Sequence, residues 1–231
     1  MAAPRIPASV TAMALAAVLP GCVVTEYVQR LWQPCGDEVS VREADTRHQD
    51  ALSKPDVPAI WAGITPQSRA EYDRNFALAR SGTNEELRRL PVADEITVLV
   101  IRKHYAGRPG DLATANGESF LNERPGIGSR QRWEIARVHL GRDAALVDTT
   151  RGGRPQVQRR YECVSGAWAF DSVYMNKESS SAAETLFRQG RVTRDDFVRN
   201  AVASFGTGTP GAAAPRLEDF ILEQPGIDRN R

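Results

Sequence analysis

Three regimes of hydrophobic patterning divide the chain. Residues 6–19 are apolar or small without a break, residues 37–121 place apolar positions three and four apart, and from Trp133 the spacing falls to two. The middle regime predicts a series of helices. One covers Asp37–Ser53, with Asp37 or Ser40 as cap, acids early, and Val41, Ala44, Ala51 and Leu52 at loose helical spacing until "KPDVP" breaks it. A short helix in "DVPAIWAG" precedes a longer one with Thr65 as N-cap, Pro66 at its first position and Gly82 as its stop. Thr83 and Glu86 stand at capping-box spacing, so "TNEELRRLP" predicts another short helix.

"VADEITVLVIRKHY" pulls two ways. Its β-branched residues favour a strand. Asp94 and Glu95 early, with Arg102, Lys103 and His104 late, instead match a helix dipole. Ile96, Leu99, Val100 and Lys103 are helically spaced, which predicts a helix. A further short helix is expected over Asp111–Leu121.

The period-two regime predicts strands. "WEIARVHL" and "AALVDTT" reverse at Gly141-Arg142-Asp143, "RGGRP" makes the next turn, and "QVQRRYECV" and "WAFDSVYM" form a second hairpin around Ser165-Gly166-Ala167. Helices first and strands afterwards predict an α+β fold, with several N-terminal helices packed on a curved four-stranded antiparallel sheet. The tail holds two amphipathic stretches, "ESSSAAETLFRQG" and "TRDDFVRNAVASFG", then a Gly/Pro/Ala linker and "RLEDFILEQPGIDRNR", which reads as a disordered end or a docking peptide. The expected organisation is a leader at 1–21, a tether at 22–36, an α+β domain at 37–175, a helical extension at 176–204 and a flexible tail at 205–231.

Two stretches resemble known families. "IARVHLGRDAALVDTT" followed by "RRYECVSGAWAFDS", after the helices, resembles the nuclear transport factor 2-like superfamily over Asp37–Met175. Gly166, Trp168, Phe170 and Asp171 fit its Gly-x-Trp-x-Phe-Asp hairpin ending, while the helical insert at 83–123 is longer than in compact members. The resemblance implies a cone whose cavity binds a small apolar ligand, or a sheet that binds a protein partner. Some members are isomerases, dehydratases or hydrolases that use a pocket Asp or His as general base.

The apolar run ends in "LPGC", which resembles the lipobox of bacterial lipoproteins through Leu19, Gly21 and Cys22, with Pro20 departing from the usual middle residue. A run of about fourteen residues is too short to span a bilayer and has the length of a secretory core. The resemblance implies cleavage before Cys22, a diacylglycerol thioether on its sulfur and an N-acyl chain. Together these give a firm membrane anchor. Val23 lacks the aspartate that retains such proteins in the inner membrane, so a Gram-negative host would send this one to the outer membrane. The competing expectation is an ordinary signal peptide and a secreted or periplasmic protein.

Composition narrows the classes further. Hydrophobic residues at 41% and charged residues at 26% are those of a globular domain. Removing residues 1–21 takes away Arg5 and no acid, leaving 29 basic and 29 acidic residues, so nothing marks a nucleic-acid partner. If Cys22 carries lipid, Cys35 and Cys163 remain, free to pair in an oxidising envelope or to stay as buried thiols.

No metal spacing, phosphate loop or nucleophile elbow occurs, and no cofactor or catalytic residue is assigned. The candidate pocket residues are His139, Tyr161 and Asp171. His139 shares a predicted strand face with Ile135 and Arg137, facing either a cavity or solvent. Asp171 either acts as a pocket base or closes the strand signature by bonding to backbone or an arginine.

Overall fold

The computed structural model describes residues 35–53, 56–123, 132–156 and 158–204. The expected leader, Cys22, most of the tether and the tail lie outside them. Helices α1 (Glu38–Ser53), α2 (Val57–Gly63), α3 (Pro66–Ser81), α4 (Asn84–Arg88), α5 (Val92–His104), α6 (Pro109–Thr114) and α7 (Gly117–Glu123) come first. Strands β1 (Glu134–Leu140), β2 (Ala144–Arg151), β3 (Arg154–Pro155), β4 (Arg159–Val164) and β5 (Ala167–Phe170) follow, then α8 (Ser172–Arg188) and α9 (Arg194–Ser204).

Local chemistry sets most boundaries. Thr65 caps α3 by accepting the Ser68 N–H, and Thr83 and Glu86 complete a reciprocal capping box on α4. The segment Val92–His104 is helical, with its acids in the first turn and its bases in the last. The single helix expected over Asp111–Leu121 is two. Asn116 interrupts it, accepting the Ser119 N–H on Oδ1 at 2.8 Å and so capping α7 rather than extending α6.

The sheet is antiparallel, ordered β1-β2-β4-β5, with β3 paired to β2 off that path. It therefore has five strands rather than the four expected. "RGGRP" is not wholly turn: Gly152 and Gly153, at φ +55° and +74°, reverse the chain, and Arg154 and Pro155 pair back onto Arg151 and Thr150. The second hairpin turns through Ser165 and Gly166, at φ +51° and +81°, placing Cys163 opposite Trp168. Its last strand is shorter than "WAFDSVYM" suggested. Asp171 Oδ1 accepts the Tyr174 N–H at 3.0 Å, ending β5 and starting α8.

Three apolar clusters hold these elements, the smallest joining Ala51 of α1, Val57 and Ile60 of α2 and Leu121 of α7. Helix α1 lies on one face of the sheet, where Val41 and Ala44 meet Ala145, Val147, Tyr161, Trp168 and Phe170. The largest cluster is helical and joins Phe76 of α3 and Ile101 of α5 to Leu186 of α8 and Phe197 of α9. Helix α8 thus runs through position 175, and α8 and α9 share one core with the preceding helices. Cys35 and Cys163 lie at disulfide distance with Cα atoms 5.6 Å apart, tying the entry of α1 to β4.

Candidate functional site

Alternation along the strands gives the sheet two chemically different faces. On the inner face, under α1, Asp45 is fully buried and gathers three side chains. Trp133 Nε1 donates to both its oxygens at 3.1 Å, Tyr161 Oη donates to Oδ1 at 2.6 Å, and Gln49 Nε2 donates to Oδ2 at 2.6 Å. The Arg159 guanidinium stacks 3.5 Å from the Trp133 ring centroid, and His48 stacks on Phe170 at 4.5 Å. Burial first, and the charge of Asp45 second, push the Tyr161 phenol well above its ordinary pKa. A carboxylate already accepting from three side chains is suited to fixing the core rather than to taking a proton from a ligand.

The outer face carries Arg137 and His139 from β1, Leu146 and Asp148 from β2, and Arg160 and Glu162 from β4. Side-chain bonds connect it crosswise. His139 Nε2 lies 2.7 Å from Asp148 Oδ2, so with a carboxylate as acceptor the ring carries its proton there. Gln158 Nε2 donates to Asp148 Oδ1 at 2.7 Å, and Tyr174 Oη, from the first turn of α8, donates to Gln158 Oε1 at 3.1 Å. The bonds from His139 and then Gln158 hold the Asp148 carboxyl below the ordinary range. Burial and then the charge of Glu178 raise the Tyr174 phenol.

His139 and Tyr174 border a shallow cleft of about 630 Å³. Leu140, Ala144 and Leu146 supply its apolar lining, while His139, Arg160 and Tyr174 supply its polar lining. Arg160 is itself tethered, to Glu162 at 2.9 Å and to Asp171 at 3.6 Å.

The three candidate pocket residues therefore separate. His139 lines the cleft, and Asp171 stands behind Arg160 on the same face, 3% exposed and committed to capping α8. Tyr161 belongs to the inner face with Asp45. The expected alternation of β1 also fails at one point. A bulge at Ala136 sets both Ala136 and Arg137 against Asp148, so Ile135 packs inward with Val138 and Leu140 while Arg137 and His139 point outward.

Sequence reasoning passed over Asp45 and Gln158. An acid set in the Val41–Ala44–His48 stripe was the available signal for Asp45, while Gln158 had none. Among the described residues, no cluster of three or more His, Cys, Asp or Glu could hold a metal, and no helix is long and apolar enough to cross a membrane. Comparison with known proteins gives no match to any family model, curated protein or solved structure.

Proposed function

We propose that the protein is a bacterial envelope lipoprotein, acylated at Cys22, whose nuclear transport factor 2-like domain holds a partner protein at the outer sheet face without catalysing a reaction. One observation carries the binding mode. On the inner face Trp133, Gln49 and Tyr161 are bonded to Asp45, whereas the outer face offers a cleft whose two rings, His139 and Tyr174, are aimed through Asp148 and Gln158. Helices ahead of an antiparallel sheet, α1 laid across that sheet, and a bulge that bends β1 support the cone-like family. The Cys35–Cys163 pair supports an oxidising compartment, and "LPGC" supports the anchor. Outer-membrane placement follows in a Gram-negative host.

The intact mass of the mature protein tests the anchor, and an unmodified Cys22 overturns it. A photoreactive side chain at Leu146 tests the binding face in intact envelopes. The expected result is one discrete adduct that is absent when the probe sits at the exposed Arg199 on α9. Equal labelling at both positions, or none at Leu146, overturns the face.

The His139–Asp148 pair favours a second reading, an isomerase, dehydratase or hydrolase in which His139 acts as general base at the cleft. Turnover of a candidate substrate that His139→Gln abolishes and Tyr161→Phe leaves intact would establish it.

A further inference from the structure

The two edges of the sheet are treated differently. At β5, Thr65 N donates to Phe170 O at 3.0 Å and Ile64 bridges Phe170, so the junction between α2 and α3 covers that edge. At β1, no described strand pairs with the far side. An open edge is a template for a further strand, and charges or bulges ordinarily discourage that pairing. On β1 both devices are present, and their arrangement is self-complementary.

Because of the bulge, residues 134 to 139 read outward, inward, outward, outward, inward, outward. That order is a palindrome. A second β1 running antiparallel, with its twofold axis between Ala136 and Arg137, keeps like faces together at every position. Ile135 then meets Val138 of the second copy on the inner side, and both are only partly buried within one chain. On the outer side Glu134 meets His139 of the second copy, and small Ala136 leaves room for Arg137. Shifting the register by one residue in either direction sets outward positions against inward ones. His139 uses Nε2 on Asp148, and a ring protonated at both nitrogens donates its Nδ1–H to the incoming carboxylate.

We propose that β1 is a self-pairing edge, through which two copies of the chain join their sheets into one continuous sheet about a twofold axis. The contact is isologous, so each Glu134–His139 pair occurs twice and closure is built in. The pairing is independent of the lipid anchor, and it shares His139 with the cleft.

Sedimentation equilibrium of the purified full chain, with the same detergent in every sample, tests it. The expected result is a dimer that Glu134→Lys weakens about tenfold by removing the carboxylate that faces His139 of the second copy. The doubly changed Glu134→Lys/His139→Glu chain is expected to recover the dimer within about threefold, with near-ultraviolet circular dichroism checking that each variant is folded. A strictly monomeric parent chain, a dimer indifferent to Glu134→Lys, or no recovery in a folded double variant overturns the proposal. A trap decides the matter if the charge variants misfold. Glu134→Cys together with His139→Cys is expected to give a covalent dimer under mild oxidation that neither single change gives, and absence of that dimer overturns the proposal.

Discussion

The Tyr161 hydroxyl on β4 donates to Asp45 on α1 at 2.6 Å, joining positions 116 residues apart across the inner face. With Trp133 and Gln49 on the same carboxylate, the helix is fixed on the sheet by charge-assisted bonds inside a dry core. Asp45→Ala leaves three buried donors without an acceptor and is expected to cost about 3–5 kcal/mol, against about 1–3 kcal/mol for Tyr161→Phe, measured by urea unfolding. Absorbance titration of the parent chain checks the phenol. Tyr161 is expected to ionise only together with alkaline unfolding, because burial and then the Asp45 charge oppose its anion.

The Cys35–Cys163 pair closes a span of 128 residues. On the chain-entropy account, a loop that long restricts the unfolded chain by about 5 kcal/mol. Reducing the bond, or changing both cysteines to serine, is expected to move the urea midpoint down by a corresponding amount. Near-equal midpoints with and without reductant would contradict the estimate.

Asp94 predicts a pH dependence of stability. Burial, then the charge of Glu71, raises it to about 7, with Arg74 opposing the rise. Arg74 Nη2 stands 2.6 Å from Glu71 and 3.2 Å from Asp94, so two carboxylates share one guanidinium. The folded form therefore holds the Asp94 proton more tightly than the unfolded form, whose value is 3.8. The Asp94 contribution to stability is greatest below that lower value, is lost as pH rises toward 7 with a slope of at most about 1.4 kcal/mol per pH unit, and is level above. Asp94→Asn is expected to flatten this part of the profile in unfolding curves taken at intervals across it.

Gly117 opens α7 against the α2–α3 side chains. A Cβ there would stand 2.6 Å from Trp61 Cη2 and 2.9 Å from Tyr72 Cβ. Gly117→Ala is expected to destabilise by about 1–3 kcal/mol through overpacking, although alanine is the better helix former. A thermal unfolding midpoint equal to or above that of the parent chain would sink this expectation.

The features legible in the sequence were those with local causes. Thr83 with Glu86, Thr65 before Pro66, and the charge order along Val92–His104 act within one or two helical turns, and each set its element as expected. The two hairpins were legible because alternating residues flank turns that contain glycine. Strand β3 was not, since two residues have no period. Asp171 was ambiguous in kind, because an aspartate after a strand both ends pairing and caps a helix, and only the bond to Tyr174 N–H decides. The bulge at Ala136 was hidden for a similar reason: alternation assumes one residue opposite one, and there two face Asp148. His139 and Tyr161 were both candidate pocket residues, yet the alternation along the strands puts them on opposite faces, His139 at the cleft and Tyr161 with Asp45 under α1.

The link between Cys35 and Cys163 also has a mechanical meaning. A pull delivered through the residues before Cys35 reaches the sulfur bond before it reaches α1, and crosses directly into β4. The backbone between the two cysteines, which are 128 positions apart, is then a covalent ring in parallel with that bond and bears no end-to-end tension. Stretched between its ends, the described fold can lengthen only beyond Cys163, through β5, α8 and α9. The helices α1–α7 and the first three strands cannot be drawn out end to end for as long as the bond holds, and feel the pull only through their packing on α8 and α9.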